Sequence, residues 1–376
     1  MYDLVIKNGI FLDAGNTMNV DGIAIQNGRI VSYNPDIPAQ KILDAQGNYV
    51  VPGFIDFHTH VFEGSAYGVN PDLLFSYGIT TVVDQGTVGY INYPSFIHQC
   101  QNKMMKVKSF INVYPLGQPG DGITEFLNAD ILHKDKLIKL ILENKDTIKG
   151  IKLKFSKGLI EQDEENFLCK ILEICDYTGL PLCIHTTNPP CDTGIIVSKL
   201  RKGDIYCHLY QGHGNTILDE NNIVKNEFWK ARKRGVIMDA ANGCVNFSYK
   251  IAIPALQQQF APDIISTDLT ARSFNNFQNN MARNLVFVMS KYLNLGLNFS
   301  TIIKSVTSIP AQVLKLSGEI GTLQEGALAD ICICKIVNTQ HDFYDANNVK
   351  RSGDKYIRTL ATIAEGNIMF LNDELI

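Results

Sequence analysis

Apolar residues fall into two textures along this chain. In the middle, short and nearly continuous apolar runs recur at 54–60, 80–86, 108–114, 150–155, 181–187, 204–211, 236–243 and 263–269. Between them lie stretches with helical spacing, for example 134–144, 164–177 and 227–234. Runs that are apolar throughout suit strands buried on both faces, and their alternation with helices implies a parallel sheet covered on both sides. Eight such strands predict an α/β fold of the (β/α)8 TIM barrel type. An open doubly wound sheet is the alternative, but no Gly-x-Gly-x-x-Gly follows the first run.

The two ends read differently. Residues 3–9, 22–31 and 49–51 look like short strands, with hairpin signals at Asn8-Gly9 and Asn27-Gly28. The same texture returns at 329–334 and 361–370, the latter turning at Gly366-Asn367. Two β-rich ends around a different middle predict one small β-sandwich domain built from both termini. The expected boundaries are 1–52 plus 318–376 for the sandwich and 53–317 for the barrel.

Composition narrows the partners. A formal net charge of −4 argues against nucleic acid or an anionic membrane surface. No apolar run approaches the roughly 20 residues of a membrane span, and no secretory leader is evident at the start. The nine cysteines are scattered singly and none forms Cys-x-x-Cys, which predicts reduced thiols and a cytoplasmic location. Small apolar filler is the expected role of Cys183 and Cys207.

In a barrel of this kind the active site lies at the C-terminal ends of the strands. The first run ends in His58-Thr59-His60, and residues i and i+2 on a strand face the same way, so both rings can reach one ion. The fourth run carries Lys152, the fifth ends in His185, the sixth has His208 and the eighth ends in Asp268. Four of eight histidines with one carboxylate at a single predicted mouth point to a metal site. Lys152 and Lys154 share a strand face, and a buried ammonium beside metal cations is costly. Carboxylation by CO₂ would turn one of them into an anionic bridging ligand; the strand pattern does not choose between them.

These residues resemble the amidohydrolase superfamily of metal-dependent hydrolases, over nearly the whole chain. More narrowly they resemble its bacterial amidohydrolase/deacetylase, dihydroorotase-like subgroup. The carriers are Pro52-Gly53-Phe54-Ile55-Asp56-Phe57-His58-Thr59-His60, Gly150-Ile151-Lys152, His185, His208 and Asp268. The resemblance implies two Zn²⁺ per subunit. It selects Lys152 as the carboxylated lysine, gives His58, His60 and Asp268 to the more buried metal, and gives His185 and His208 to the outer one. The Lys152 carbamate and a hydroxide bridge the pair. Asp268 is then both a ligand and the catalytic general base and acid.

The implied reaction is hydrolysis of an N-acyl or O-acyl small acidic molecule. A cyclic amide hydrolase is the first alternative and a non-catalytic structural oligomer the second. Phe62 stands where dihydroorotases carry an arginine, which weakens the ring-opening reading. Candidate substrate contacts are Lys154, Asn242 (where the subgroup often has histidine), His213 in a glycine-rich loop, and Arg272. The loop 86–90 is a further candidate for the pocket wall. Barrel enzymes of this size commonly form homo-oligomers, which is the expectation here. His98, His133 and His341 receive no role.

Overall fold

The computed structural model describes residues 1–128, 130–161, 163–275 and 281–375. At its centre is a seven-stranded, all-parallel sheet in chain order: Phe54–Thr59, Ile79–Gln85, Lys106–Asn112, Ile148–Lys154, Leu182–His185, Ile205–Cys207 and Ile237–Asp239. Helices such as Lys134–Glu143, Glu164–Thr178 and Asn226–Arg234 alternate with these strands. The architecture is a TIM-barrel-like α/β fold.

The eighth expected strand, 263–269, is irregular. Asp268 has a positive φ of 51°, which stops a ladder. Thr267 donates from its backbone N and Oγ1 to Asp56, at 3.1 and 2.7 Å. The segment still links the seventh strand to the first, through bridges Asp239–Ile264 and Thr59–Leu269.

The parity of each strand sorts its side chains into two layers. Ile151, Leu153, Ile184, Tyr206 and Met238 join the large cluster shared with the helices. Phe57, Val83, Phe110, Cys183, Ile205 and Cys207 form a separate interior cluster. Lys152 alternates with Ile151 and Leu153, so it belongs to the interior series. Beneath it the floor is aromatic: Phe57 and Phe110 meet edge to face with centroids 5.5 Å apart. Gly150 makes room for that floor, because a Cβ there would lie 2.0 Å from the Phe110 ring.

The chain ends supply two further sheets. One runs Arg29–Val31, Gly22–Gln26, Tyr2–Lys7, Ala39–Asp44. The other runs Asn367–Leu371, Lys350–Ala364, Ile331–Tyr344, Tyr49–Pro52, Ile10–Asp13, Asn16–Thr17. Leu4, Ile6, Ile23 and Ile25 of the first share an apolar cluster with Val50, Ile331, Ile333 and Ile363 of the second. Asn27-Gly28 does turn a hairpin, with positive φ at both residues. Asn8-Gly9 does not: the strands on either side of it lie in different sheets. Gly9 permits that crossing, since a Cβ would come within 2.4 Å of Val50 Cγ2.

The C-terminal hairpin is far longer than the sequence pattern suggests. Its strands, Ile331–Tyr344 and Lys350–Ala364, hold 14 and 15 residues. Only Ile331–Cys334 pairs with Tyr49–Pro52, so the distal half leaves the terminal sheet and lies along helix Leu285–Asn294.

Gly150→Ala tests the interior floor. Overpacking against Phe110 should lower unfolding free energy by about 1–3 kcal/mol, measured by denaturant titration; an unchanged midpoint would mean that the ring moves aside freely.

Candidate metal centre

The strand ends converge on a cavity of about 780 Å³. His58, His60, Lys152, His185 and Asp268 all line it. His208 is buried directly behind, its ring 4.2 Å from that of His185 and 5.2 Å from that of His58, centroid to centroid. All six candidate ligands of the sequence analysis are therefore brought together.

Three of the imidazoles share one arrangement. His58 Nδ1 lies 3.1 Å from Asp239 Oδ2, His60 Nδ1 lies 2.8 Å from Thr87 Oγ1, and His208 Nδ1 lies 2.8 Å from the Ala241 carbonyl. Outer partners of this kind fix ring orientation and tautomer at metal sites. A carbonyl can only accept, so the proton of neutral His208 sits on Nδ1. Its Nε2 is then a lone pair, and it is buried without any hydrogen-bond partner. Such an orphan costs about 1–3 kcal/mol unless something binds it. His60 Nε2 and His58 Nε2 point to Asp268 Oδ1, at 3.2 and 3.6 Å. Ligand atoms of His58, His60 and Asp268 lie within 4.8 Å of one another, as do those of His58, Cys207 and His208.

The electrostatics suit cation binding. Burial, then the charges of Lys152 and His208, holds His58 well below its ordinary pKa. Burial and His208 do the same to His185, so both rings are neutral donors. Burial pushes Asp268 up, but its hydrogen bond with His60 and the surrounding imidazoles and Lys152 outweigh it, and the carboxyl titrates below the usual range. Asn246 Nδ2 donates to its other oxygen at 2.6 Å. Imidazoles, a carboxylate and an orphaned Nε2 are the donor set that Zn²⁺ takes, so the residues fit the metal.

Lys152 is 1% exposed. Its Nζ lies 3.0 Å from His58 Nε2, 3.5 Å from Cys207 Sγ and 3.9 Å from Cys183 Sγ. Burial opposes the ammonium; charge on Cys183 and Cys207, then Asp268 and Asp239, would favour it and shift its pKa upward. Burial also holds the Cys207 thiol well above its ordinary value, so that thiolate is not there to help. No carboxylate among the described residues touches that Nζ, so the ammonium is the weak point of the cluster. Gly86 lies against this side chain, where a Cβ would meet Lys152 Cγ at 2.7 Å.

The backbone is bent to the purpose. His208, Ala241 and Asp268 all have positive φ, at 62°, 36° and 51°. Such conformations in non-glycine residues cost on the order of 1 kcal/mol or more each and gather at functional sites. Buried Asp84 accepts from both Val61 N and Thr87 N, each at 2.9 Å, tying the segment after His60 to the residue that orients it.

The candidate substrate contacts separate. Lys154 and Arg272 line the cavity. Lys154, however, pairs with buried Glu125 at 2.9 Å, while Arg272 has no carboxylate partner among the described residues. Asn242 is fully buried off the cavity wall and accepts from Tyr292 OH at 3.0 Å. His213 is exposed in its loop and is not on the wall either. Phe62 turns into the core against Phe96. Loop 86–90 contributes Thr87, through His60, rather than a wall.

Sequence reading missed Asp239, Asn246, Glu125 and the hairpin-tip residues Tyr344, Ala346 and Asn348, which line the cavity. Asp239 alone carried a signal: an acidic residue at a strand end, like Asp268. It is pushed up to about 7 by burial, against a hydrogen bond from Ser266.

Comparison with known proteins agrees with this geometry. The profile of the Amidohydrolase family matches residues 49–359. A deacetylase of Enterococcus faecalis is 30% identical over 98% of this chain and 99% of its own. A crystal structure of an adenine deaminase superposes with a TM-score of 0.90 at 30% identity, covering 99% of this chain and 100% of its own. A dihydroorotase structure, at 22% identity and TM-score 0.86, covers 98% and 99% and shares the fold. The chain belongs to the amidohydrolase family, and it is a deacetylase-like hydrolase of C–N bonds.

Proposed function

We infer that this chain is a binuclear zinc deacylase. It removes the acyl group from an N-acylated, or O-acylated, small acidic molecule. The observation that carries the reading is the convergence of His58, His60, Lys152, His185, His208 and Asp268, with the Nε2 of His208 buried and unpartnered. By this reading His58, His60 and Asp268 would hold one Zn²⁺ and His185 and His208 the other, with a carboxylated Lys152 as the further anionic ligand. Two Zn²⁺ held there supply the Lewis acidity that polarises a carbonyl and acidifies water.

The remaining work falls to the chain. Asp268 is ionised, and Asn246 and His60 hold both of its oxygens in place. It accepts the proton of the attacking water and passes it to the departing nitrogen, so it ends the cycle ionised as it began. Arg272 offers its guanidinium to a substrate carboxylate. Lys154, neutralised by Glu125, adds little net charge. A guanidinium at the mouth with no carboxylate partner among the described residues favours an anionic substrate over a neutral purine ring, which separates this reading from adenine deamination. By the same reading the two terminal sheets pack as one sandwich, 1–52 with 318–376, beside a barrel of 53–317. The protein would work in the cytoplasm as a homo-oligomer on a small molecule, with no nucleic acid or membrane partner.

Zinc-loaded protein should hydrolyse N-acetyl amino acids or O-acetyl hydroxy acids in preference to cyclic amides and adenine. Asp268→Asn should reduce kcat by about 100-fold or more, the lower range for loss of a general base. Turnover confined to cyclic amides or adenine would replace the deacylase reading.

Chelation should abolish activity, and zinc with bicarbonate should restore it. With ¹³C-bicarbonate, NMR should show a carbamate resonance that is missing from Lys152→Ala. If that resonance persists in the variant, or never appears in active protein, Lys152 is not the bridging group.

A further inference from the structure

From Cys334, the last residue of its strand paired with Tyr49–Pro52, the C-terminal hairpin runs ten residues on to Tyr344, roughly 33 Å at strand rise. That length carries its tip from the terminal sheet to the barrel mouth. The tip then divides. Phe343 and Asp345 face the barrel: Phe343 packs on Phe287 with ring centroids 4.9 Å apart, and Asp345 Oδ2 accepts from Tyr249 N at 3.0 Å. Tyr344, at the strand end, and Ala346 and Asn348, in the turn, line the cavity.

The tip is anchored more firmly than a surface turn needs. Asp345 Oδ1 accepts from Asn347 N and Val349 N at 2.8 and 2.9 Å, and Ala346 N donates to Phe247 O at 2.9 Å. Lys291, on helix Leu285–Asn294, donates to Tyr344 O at 3.2 Å and to Met281 O at 2.6 Å, with its Nζ 4.6 Å from the centroid of the Phe247 ring. Tyr344 and Met281 are both wall residues. Lys291 and Asp345 are each only 1% exposed, yet they form no direct ion pair. Burying two ionisable side chains is costly, and neither touches the six candidate ligands. Lys291 bonds the backbone of two wall residues, and Asp345 bonds the backbone of the turn beside them and of Tyr249.

We propose that the hairpin tip is a built part of the substrate site. Tyr344, Ala346 and Asn348 contact the portion of the substrate remote from the scissile bond and set the size it can have. Lys291 and Asp345 are positioning residues that hold this wall at its distance from the metal-binding face. The proposal rests on the metal-centre reading above. A neutral, polar and short side group is the chemistry such a wall accepts, given one amide, one phenol and one methyl.

Hydroxamates of different reach test it without knowledge of the substrate. Acetohydroxamate and 4-phenylbenzohydroxamate share a zinc-binding head, and only the second extends across the cavity. Calorimetric titration of zinc-loaded protein gives the ratio of their two Kd values. In Ala346→Phe that ratio should shift against the long ligand by about tenfold, a change equal to ~1.4 kcal/mol. Lys291→Met should shift it as well, and should raise amide hydrogen exchange at 344–349 while exchange in the barrel strands stays put. Asn348→Gly, at an exposed turn position whose φ of 59° glycine adopts freely, should shift the ratio without raising exchange. A ratio unchanged in all three variants overturns the wall and leaves the metal centre standing. Failure of wild-type protein to bind acetohydroxamate overturns the metal centre, and the wall with it.

Discussion

A lysine amine held inside an apolar barrel is the constraint around which this structure is arranged. Lys152 rises from a floor of Phe57 and Phe110 into a space bounded by His58, Cys183 and Cys207. It is almost wholly buried, and the thiols beside it are poor counter-ions. Neither a free ammonium nor a free amine is well served there, whereas an anionic adduct facing imidazoles and cations would be. Gly150 lets the floor pack beneath it, and Gly86 lets the turn after strand Ile79–Gln85 close over it. The lysine thus dictates two glycines, four aromatic or sulfur neighbours and the placement of His58.

Around that centre the rings are held from outside. Asp239, Thr87 and the Ala241 carbonyl each take an Nδ1, which leaves Nε2 facing inward in all three cases. The strand ends pay for this with left-handed backbone at His208, Ala241 and Asp268. The same conformations end the ladders, so sheet and site meet at a boundary that both require.

Much of this was legible in the sequence because its causes are local. Continuous apolar runs mark strands buried on both faces, and seven of the eight expected runs are parallel strands in chain order. The eighth runs through the ring without regular pairing, because Asp268 takes a left-handed conformation that no apolar pattern announces. Ligands at strand ends follow from strand parity. What escaped depends on distant pairing. Glu125 lies in an irregular loop, and only the fold shows that it neutralises Lys154. Asn242 looked available beside a strand end, but Tyr292, fifty residues on, holds it in the interior. Asn8-Gly9 reads like a hairpin in sequence; a change of sheet uses the same dihedral freedom. The distal half of the long hairpin carries few apolar residues because it lies along a helix rather than inside a core.

That hairpin also sets an order of events during synthesis. Strand Tyr49–Pro52 is made early, but its partner Ile331–Cys334 comes almost three hundred residues later, and the returning strand ends only at Ala364. Loops of such span close late. A nascent chain can therefore assemble all six candidate ligands while one side of the cavity is still open to solvent. Completion of the hairpin at 331–364 is what turns an exposed cluster of metal-binding groups into an enclosed reaction vessel.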